Sequence, residues 1–382
     1  MEITLLPLSL YIHTPWCIRK CPYCDFNSHK SPEQLPEEQY IAALIADLQQ
    51  DLAEFPGRKL ESIFIGGGTP SLFSAKAYES LFNQIQRYLP FGNDIEITLE
   101  ANPGAVEQQR FNDYRALGIN RLSLGIQSFN PAHLQSLGRI HDEKQAQYAI
   151  ESARRAGFDN INIDIMHGLP NQSISEGIAD LRAALANHPE HLSWYQLTIE
   201  PNTAFYKQRP TLPSDDDAFA LEEEGLALLE DHDYKRYEIS AFCQKGKPAQ
   251  HNLNYWLFGD YIGIGAGAHG KLTAADGKTV YRTRKHRQPA DYLNPNKAFR
   301  AALEPVSPND LVFEFMLNAT RLQQAISKSL FIERTGLSIE NLTPGLATAL
   351  AKGLITTNDT HWQITPFGRR FTNDLQGLFL LD

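Results

Sequence analysis

Residues Leu8-Ser9-Leu10-Tyr11-Ile12-His13-Thr14-Pro15-Trp16-Cys17-Ile18-Arg19-Lys20-Cys21-Pro22-Tyr23-Cys24 join a short β-rich run to three closely spaced cysteines. The run Leu8–His13 reads as a strand, and the thiols form a C-x3-C-x2-C pattern in the loop directly after it. Five further β-rich runs follow: Ser62–Gly66, Ile95–Glu100, Arg121–Gln127, Ile161–Met166 and Leu192–Thr198. Amphipathic helical stretches separate them at Glu37–Phe55, Ala75–Leu89, Val106–Leu117, Glu143–Ala156 and Glu176–Asn187. Six strand-then-helix units predict parallel strands joined by right-handed crossovers. Six is fewer than the eight of a closed barrel, and no dinucleotide GxGxxG opens the first unit. The expected fold class is α/β, an open, partial (β/α)6 TIM-like barrel.

Parallel α/β folds place their working residues at the carboxyl ends of the strands. Unusual residues fall at those ends here. Gly66-Gly67-Gly68-Thr69-Pro70 ends the second run and Glu100-Ala101-Asn102-Pro103 the third. Gly125-Ile126-Gln127-Ser128-Phe129 ends the fourth, and Asp164 lies late in the fifth. Polar residues at four successive strand ends predict one shared cavity.

The chain has 382 residues, 42% hydrophobic and 21% charged, enough for one large and one smaller domain. Its 35 Lys+Arg against 45 Asp+Glu leave a formal charge of −10, which argues against a broad basic nucleic-acid surface. No run approaches the roughly 18 apolar residues of a membrane span. Met1–Leu10 carries Glu2 and lacks a basic flank, so it reads as a strand approach and not a signal peptide. Three of the four cysteines are clustered, which predicts a cytoplasmic protein using thiols for metal. The fourth, Cys243 beside Phe242, reads as a small buried hydrophobe and is assigned no role.

Three regions are expected: a barrel over 1–240, a glycine-rich connecting segment over 241–300, and a C-terminal domain over 301–382. The last carries helical segments Pro308–Leu322, Ser329–Thr335 and Pro344–Lys352, then a hairpin around Asn358-Asp359 and a final helix from Thr365-Pro366. Helices followed by a hairpin resemble a winged-helix module. Without a concentrated basic recognition helix, a packing or substrate-covering role is expected over DNA binding.

Three thiolates on one loop can hold three irons of a [4Fe–4S] cubane and leave the fourth iron open to a chelating small molecule. The alternative is a structural zinc loop closed by His13 or His29.

C-x3-C-x2-C with an aromatic before its last cysteine resembles the signature of radical S-adenosylmethionine (SAM) proteins. Gly66–Pro70 matches that family's GGGTP loop, where the lack of a Cβ permits close backbone approach to a ligand. The resemblance implies a [4Fe–4S] cluster on Cys17, Cys21 and Cys24, with SAM chelated at the open iron. Tyr11-Ile12-His13-Thr14-Pro15-Trp16-Cys17 is similar to the YxHxPxC segment of the coproporphyrinogen oxidase-like branch. That likeness implies SAM contacts at Tyr11, Gly67, Gly68, Thr69, Glu100, Gln127, Arg139 and Asp164. Their types suit such contacts, since carboxylates accept bonds from hydroxyls or an amine and an arginine pairs with a carboxylate.

The oxidases of this branch carry a further cysteine two residues after the third. Here that position is Phe26, and only sixteen residues precede Cys17. Both features resemble the HemW heme-chaperone branch, as does His251-Asn252-Leu253-Asn254-Tyr255, an HNxxY pattern linked with heme. The resemblance implies heme binding at His251 and Tyr255, with Trp256, Phe258 and Tyr261 nearby to cover a porphyrin face. By chemistry alone, a histidine beside aromatics is as readily a satisfied core residue. Gly263–Gly270 resembles the glycine-rich segment that closes the SAM site. The implied function is a heme chaperone, with no catalytic residue assigned, that passes heme to acceptor proteins, among them membrane-bound respiratory ones. The competing function is a porphyrinogen-decarboxylating radical SAM oxidoreductase.

Overall fold

The computed structural model describes residues 6–55 and 57–380, so the reading of Met1–Leu10 falls partly outside the described residues. Strand β1 (Leu8–Thr14) is buried at all but one position, and Arg121–Gln127 at every position. Both faces of these strands are covered, and residue type still alternates along them: Leu8, Leu10 and Ile12, or Leu122, Leu124 and Ile126, share one side, while Ser9, Tyr11 and His13, or Arg121, Ser123 and Gln127, share the other. With β1, the parallel set is β2 (Leu60–Gly67), β3 (Phe91–Ala101), β4 (Arg121–Gln127), β5 (Ile161–His167) and β6 (His191–Gln196). These are the six expected strands, each pairing with the next in parallel.

Six further strands complete one twelve-stranded sheet. They are β7 (Lys235–Glu238), β8 (Ala241–Cys243), β9 (Asp260–Ile264), β10 (His269–Thr273), β11 (Val280–Lys285) and β12 (Arg300–Pro305). The order is β12-β11-β10-β9-β1-β2-β3-β4-β5-β6-β8-β7, an open row among the described residues. Strand β9 is a seventh parallel strand that the six-unit reading does not contain. It pairs with β1 in register Tyr11↔Gly263. Residues 241–300 therefore supply strands on both flanks of the parallel set.

The intervening helices cover the sheet with apolar faces; α1 (Glu37–Leu52), for example, buries Tyr40, Ile41, Leu44 and Leu48. Two helices begin at capping boxes, Asp142 with Gln145 and Ser173 with Glu176, which satisfy otherwise unpaired amide donors. A separate apolar core joins helices Pro308–Ala319, Lys328–Thr335 and Thr343–Ala351 to a three-stranded antiparallel sheet containing Ile355–Thr357 and His361–Ile364. The last helical stretch is split in two, Pro366–Arg370 and Thr372–Gly377. Among the described residues no helix is long and apolar enough to cross a membrane.

A cavity at the strand ends

The carboxyl ends of β1 to β6 open onto one cavity of about 300 Å3. It is lined by Cys17, Cys21, Cys24, Gly67, Gly68, Thr69, Glu100, Gln127, Arg139 and Asp164. Of the proposed SAM and cluster residues, only Tyr11 lies outside it, lining an adjoining cavity.

The cysteine loop is held by its own backbone. Pro15 O accepts from His29 N at 2.7 Å, Cys17 O from Ser31 N at 2.8 Å, and Cys21 O from Cys24 N at 3.2 Å. The glycine loop is stitched to the same segment: Gly68 N donates to Thr14 O at 2.7 Å and Thr69 N to Trp16 O at 2.8 Å. A Cβ on Gly68 would stand 2.5 Å from Trp16 O, and one on Gly67, at φ +110°, would meet the His13 ring at 2.5 Å. These glycines are thus demanded by packing against residues 13–16, a constraint separate from ligand approach.

Burial pushes the Cys17 and Cys24 thiols above their ordinary range, partly offset by hydrogen bonding to Thr69 and to the Phe26 backbone respectively. Such thiols become thiolates when a metal draws the proton off. Neither histidine considered as a zinc ligand is directed at them. His13 spends Nδ1 on Tyr11 Oη (2.9 Å) and Nε2 on Asn27 O (2.8 Å). His29 Nε2 lies 3.3 Å from Asn27 Oδ1 and 3.2 Å from Arg287 O. Among the described residues no three His, Cys, Asp or Glu side chains converge as on a single metal ion.

Arg139 spans the cavity wall. One nitrogen donates to Cys21 Sγ at 3.5 Å, another to Asn102 Oδ1 at 3.0 Å and to Gly125 O, while its buried Nε has no hydrogen-bond partner among the described residues. That orphan donor beside the thiols suits an anionic ligand group. Asn102, quoted in sequence without a role, ties this network together by donating to Thr69 Oγ1 at 3.1 Å. Gln127, at φ 71°, accepts from Tyr195 Oη at 2.7 Å. Period-two alternation along β6 places Ser193 and Tyr195 on the cavity side, the signal that could have found both.

Glu100 and Asp164 face each other electrostatically inside the cavity. Burial, with the Asp164 charge adding to it, pushes Glu100 up to about 8, although Gly67 N donates to its Oε2 at 3.1 Å. Burial raises Asp164 as well, eased by bonds from Asn162, Ser193 and Ser123. Two buried acids that resist ionisation are poised for a cationic or hydroxyl-bearing ligand.

A neighbouring cavity of about 470 Å3 shares Gly67, Glu100 and Phe26 with the first, and Tyr11, Tyr255, Tyr261, Gly267, His269 and Arg287 also line it. The glycine-rich segment meets this second cavity through Gly267. His251 does not line it. It is 1% exposed, with Nδ1 2.9 Å from Ser62 Oγ and Nε2 2.9 Å from Tyr255 Oη. Burial lowers it to about 3, so the ring is neutral, with both nitrogens engaged. Trp256 and Phe258 turn instead toward the C-terminal core, leaving Tyr261 beside Tyr255. Cys243 is buried in β8.

Residues 11–184 match the Radical SAM superfamily and residues 306–371 the HemN C-terminal domain. The chain is 48% identical to the heme chaperone HemW of Escherichia coli (strain K12) over 380 residues, 100% of both chains. It is 34% identical to the heme chaperone HemW of Bacillus subtilis (strain 168), covering 97% of this chain and 99% of that one. The fold matches the solved structure of coproporphyrinogen III oxidase (HemN) from Escherichia coli at a TM-score of 0.82. That match covers 98% and 90% of the two chains at 24% identity.

Proposed function

The chain belongs to the HemW family of radical SAM proteins, and from that premise we propose that it is a heme chaperone that carries a [4Fe–4S] cluster and SAM and hands heme to acceptor proteins. The observation that carries this reading is the union of two cavities. The thiols, glycine loop and strand-end acids line one, Tyr255 lines the other, and Gly67 and Glu100 form their common wall.

In this proposal Cys17, Cys21 and Cys24 hold the cluster, which supplies an electron and one open iron position to SAM. Arg139 pairs with the carboxylate of SAM. Glu100 and Asp164 accept from its amine or ribose hydroxyls, with Gly67, Gly68, Thr69 and Gln127 shaping the pocket. Heme is the cargo. Tyr255 lines the adjoining cavity, and His251, 2.9 Å from its Oη, orients the phenol; Arg287, on the same wall, suits a propionate. Membrane-bound respiratory proteins are the acceptor class, reached from a cytoplasmic protein.

Anaerobically reconstituted protein should take up hemin with a Soret band that Tyr255→Phe and His251→Ala both weaken. Conversion of coproporphyrinogen III to protoporphyrinogen IX with SAM turnover would overturn the chaperone reading in favour of the oxidase.

A further inference from the structure

We propose that the cavity between the outer sheet edge and the C-terminal domain is a separate binding site for a planar, carboxylate-bearing macrocycle of the heme class, with His167 as axial ligand. The inference rests on the reading that heme is this protein's cargo. The cavity measures about 640 Å3, within the range of roughly 300–1,000 Å3 for ligand cavities and larger than either strand-end cavity.

Two buried polar groups on its wall lack partners. His167, last in β5, is 5% exposed, and neither ring nitrogen makes a hydrogen bond among the described residues. Its Nδ1 is wholly buried and unpaired among the described residues, as is the indole N–H of Trp194, whose ring lies tilted at 35° to it with centroids 4.3 Å apart. The other ring nitrogen, Nε2, has no partner among the described residues and is not among the wholly buried atoms, so it is the nitrogen that can meet a ligand in the cavity. Burial, with Arg236 nearby, lowers His167 to about 4, and the neutral imidazole is the metal-binding form.

The rim has the complementary chemistry. Phe219 and Phe371 line it at 48% and 42% exposure; Arg370 lies 5.1 Å from the Phe219 ring centre and Phe367 4.8 Å from that of Phe371, so the two rings offer apolar edges to a flat ligand. Two of its three arginines are matched: Arg236 lies 3.5 Å from Glu222, and Arg370 3.3 Å from Glu223. Arg369 has no acidic partner among the described residues, leaving one guanidinium for a ligand carboxylate. Tyr195 borders both this cavity and the thiol-lined one, so the two sites share a wall.

The test titrates hemin into reconstituted full-length protein, with Soret absorption and retention through gel filtration as readouts. Wild type should retain two equivalents and Tyr255→Phe one. Arg369→Glu, a change at an exposed position, should weaken the second class about ten-fold or more, the worth of one charged hydrogen bond. His167→Ala should shift the Soret band of that same class. A single equivalent lost in the Arg369 and His167 variants but kept in Tyr255→Phe also supports this site. A single equivalent lost only in Tyr255→Phe overturns it and leaves the chaperone reading standing. No hemin uptake by wild type overturns both.

Discussion

Gly68→Ala tests whether the glycine loop is built for packing against the cysteine segment. The new methyl would sit 2.5 Å from Trp16 O and 2.8 Å from Trp16 N and C, all backbone atoms with no side-chain rotation to relieve the contact. Overpacking of this kind costs about 1–3 kcal/mol. Moving the loop away also strains the Gly68–Thr14 and Thr69–Trp16 hydrogen bonds, each worth about 0.5–1.5 kcal/mol. A loss of about 2–4 kcal/mol follows. At about 2.1 cal/mol/K per residue, a 382-residue chain has an unfolding entropy near 0.8 kcal/mol/K, so Tm should fall by roughly 3–5 °C. Because Trp16 directly precedes Cys17, iron and acid-labile sulfide per chain after anaerobic reconstitution should fall as well. Gly377→Ala, at a position where a Cβ meets nothing within 4 Å, is the control and should change neither readout. Full cluster loading with an unshifted melt in Gly68→Ala would refute the packing argument.

Two further outcomes concern buried charge. Lys285 is wholly buried and binds Asp47 at 2.5 Å and Asp51 at 2.8 Å, while Arg300 reaches Asp51 at 3.2 Å. Lys285→Met should cost about 3–5 kcal/mol, because it strands two buried carboxylates. Burial already raises both acids, and losing the ammonium raises them further, so the deficit in denaturant melts should deepen as pH rises from about 5 to 8. Glu100→Gln mimics the protonated acid. Since folded Glu100 titrates near 8 against 4.5 for the free side chain, wild-type apoprotein loses stability as pH rises through that interval. The variant's relative stability should therefore climb from about pH 5 to pH 8 and level off above; a flat difference would contradict the burial argument.

What this sequence determined alone is whatever depends on local spacing. Three thiols within one loop after Leu8–His13 stay together whatever the rest of the chain does. Period-two alternation of branched apolar residues is local, so all six parallel strands announced themselves; β4 begins and ends where its residues predict. The tertiary structure decided what depends on partners distant in the chain. Asp260–Ile264, with an acidic and a glycine residue, carries little strand signal, yet it joins the sheet because β1 offers it a free parallel edge some 250 residues earlier. His251 looked available as a ligand until Ser62 and Tyr255 occupied both its nitrogens. Lys285, of a residue type that is usually exposed, is interior because α1 brings Asp47 and Asp51 to it. Period and spacing are written in covalent order, whereas burial and hydrogen-bond occupancy are fixed only when distant segments meet.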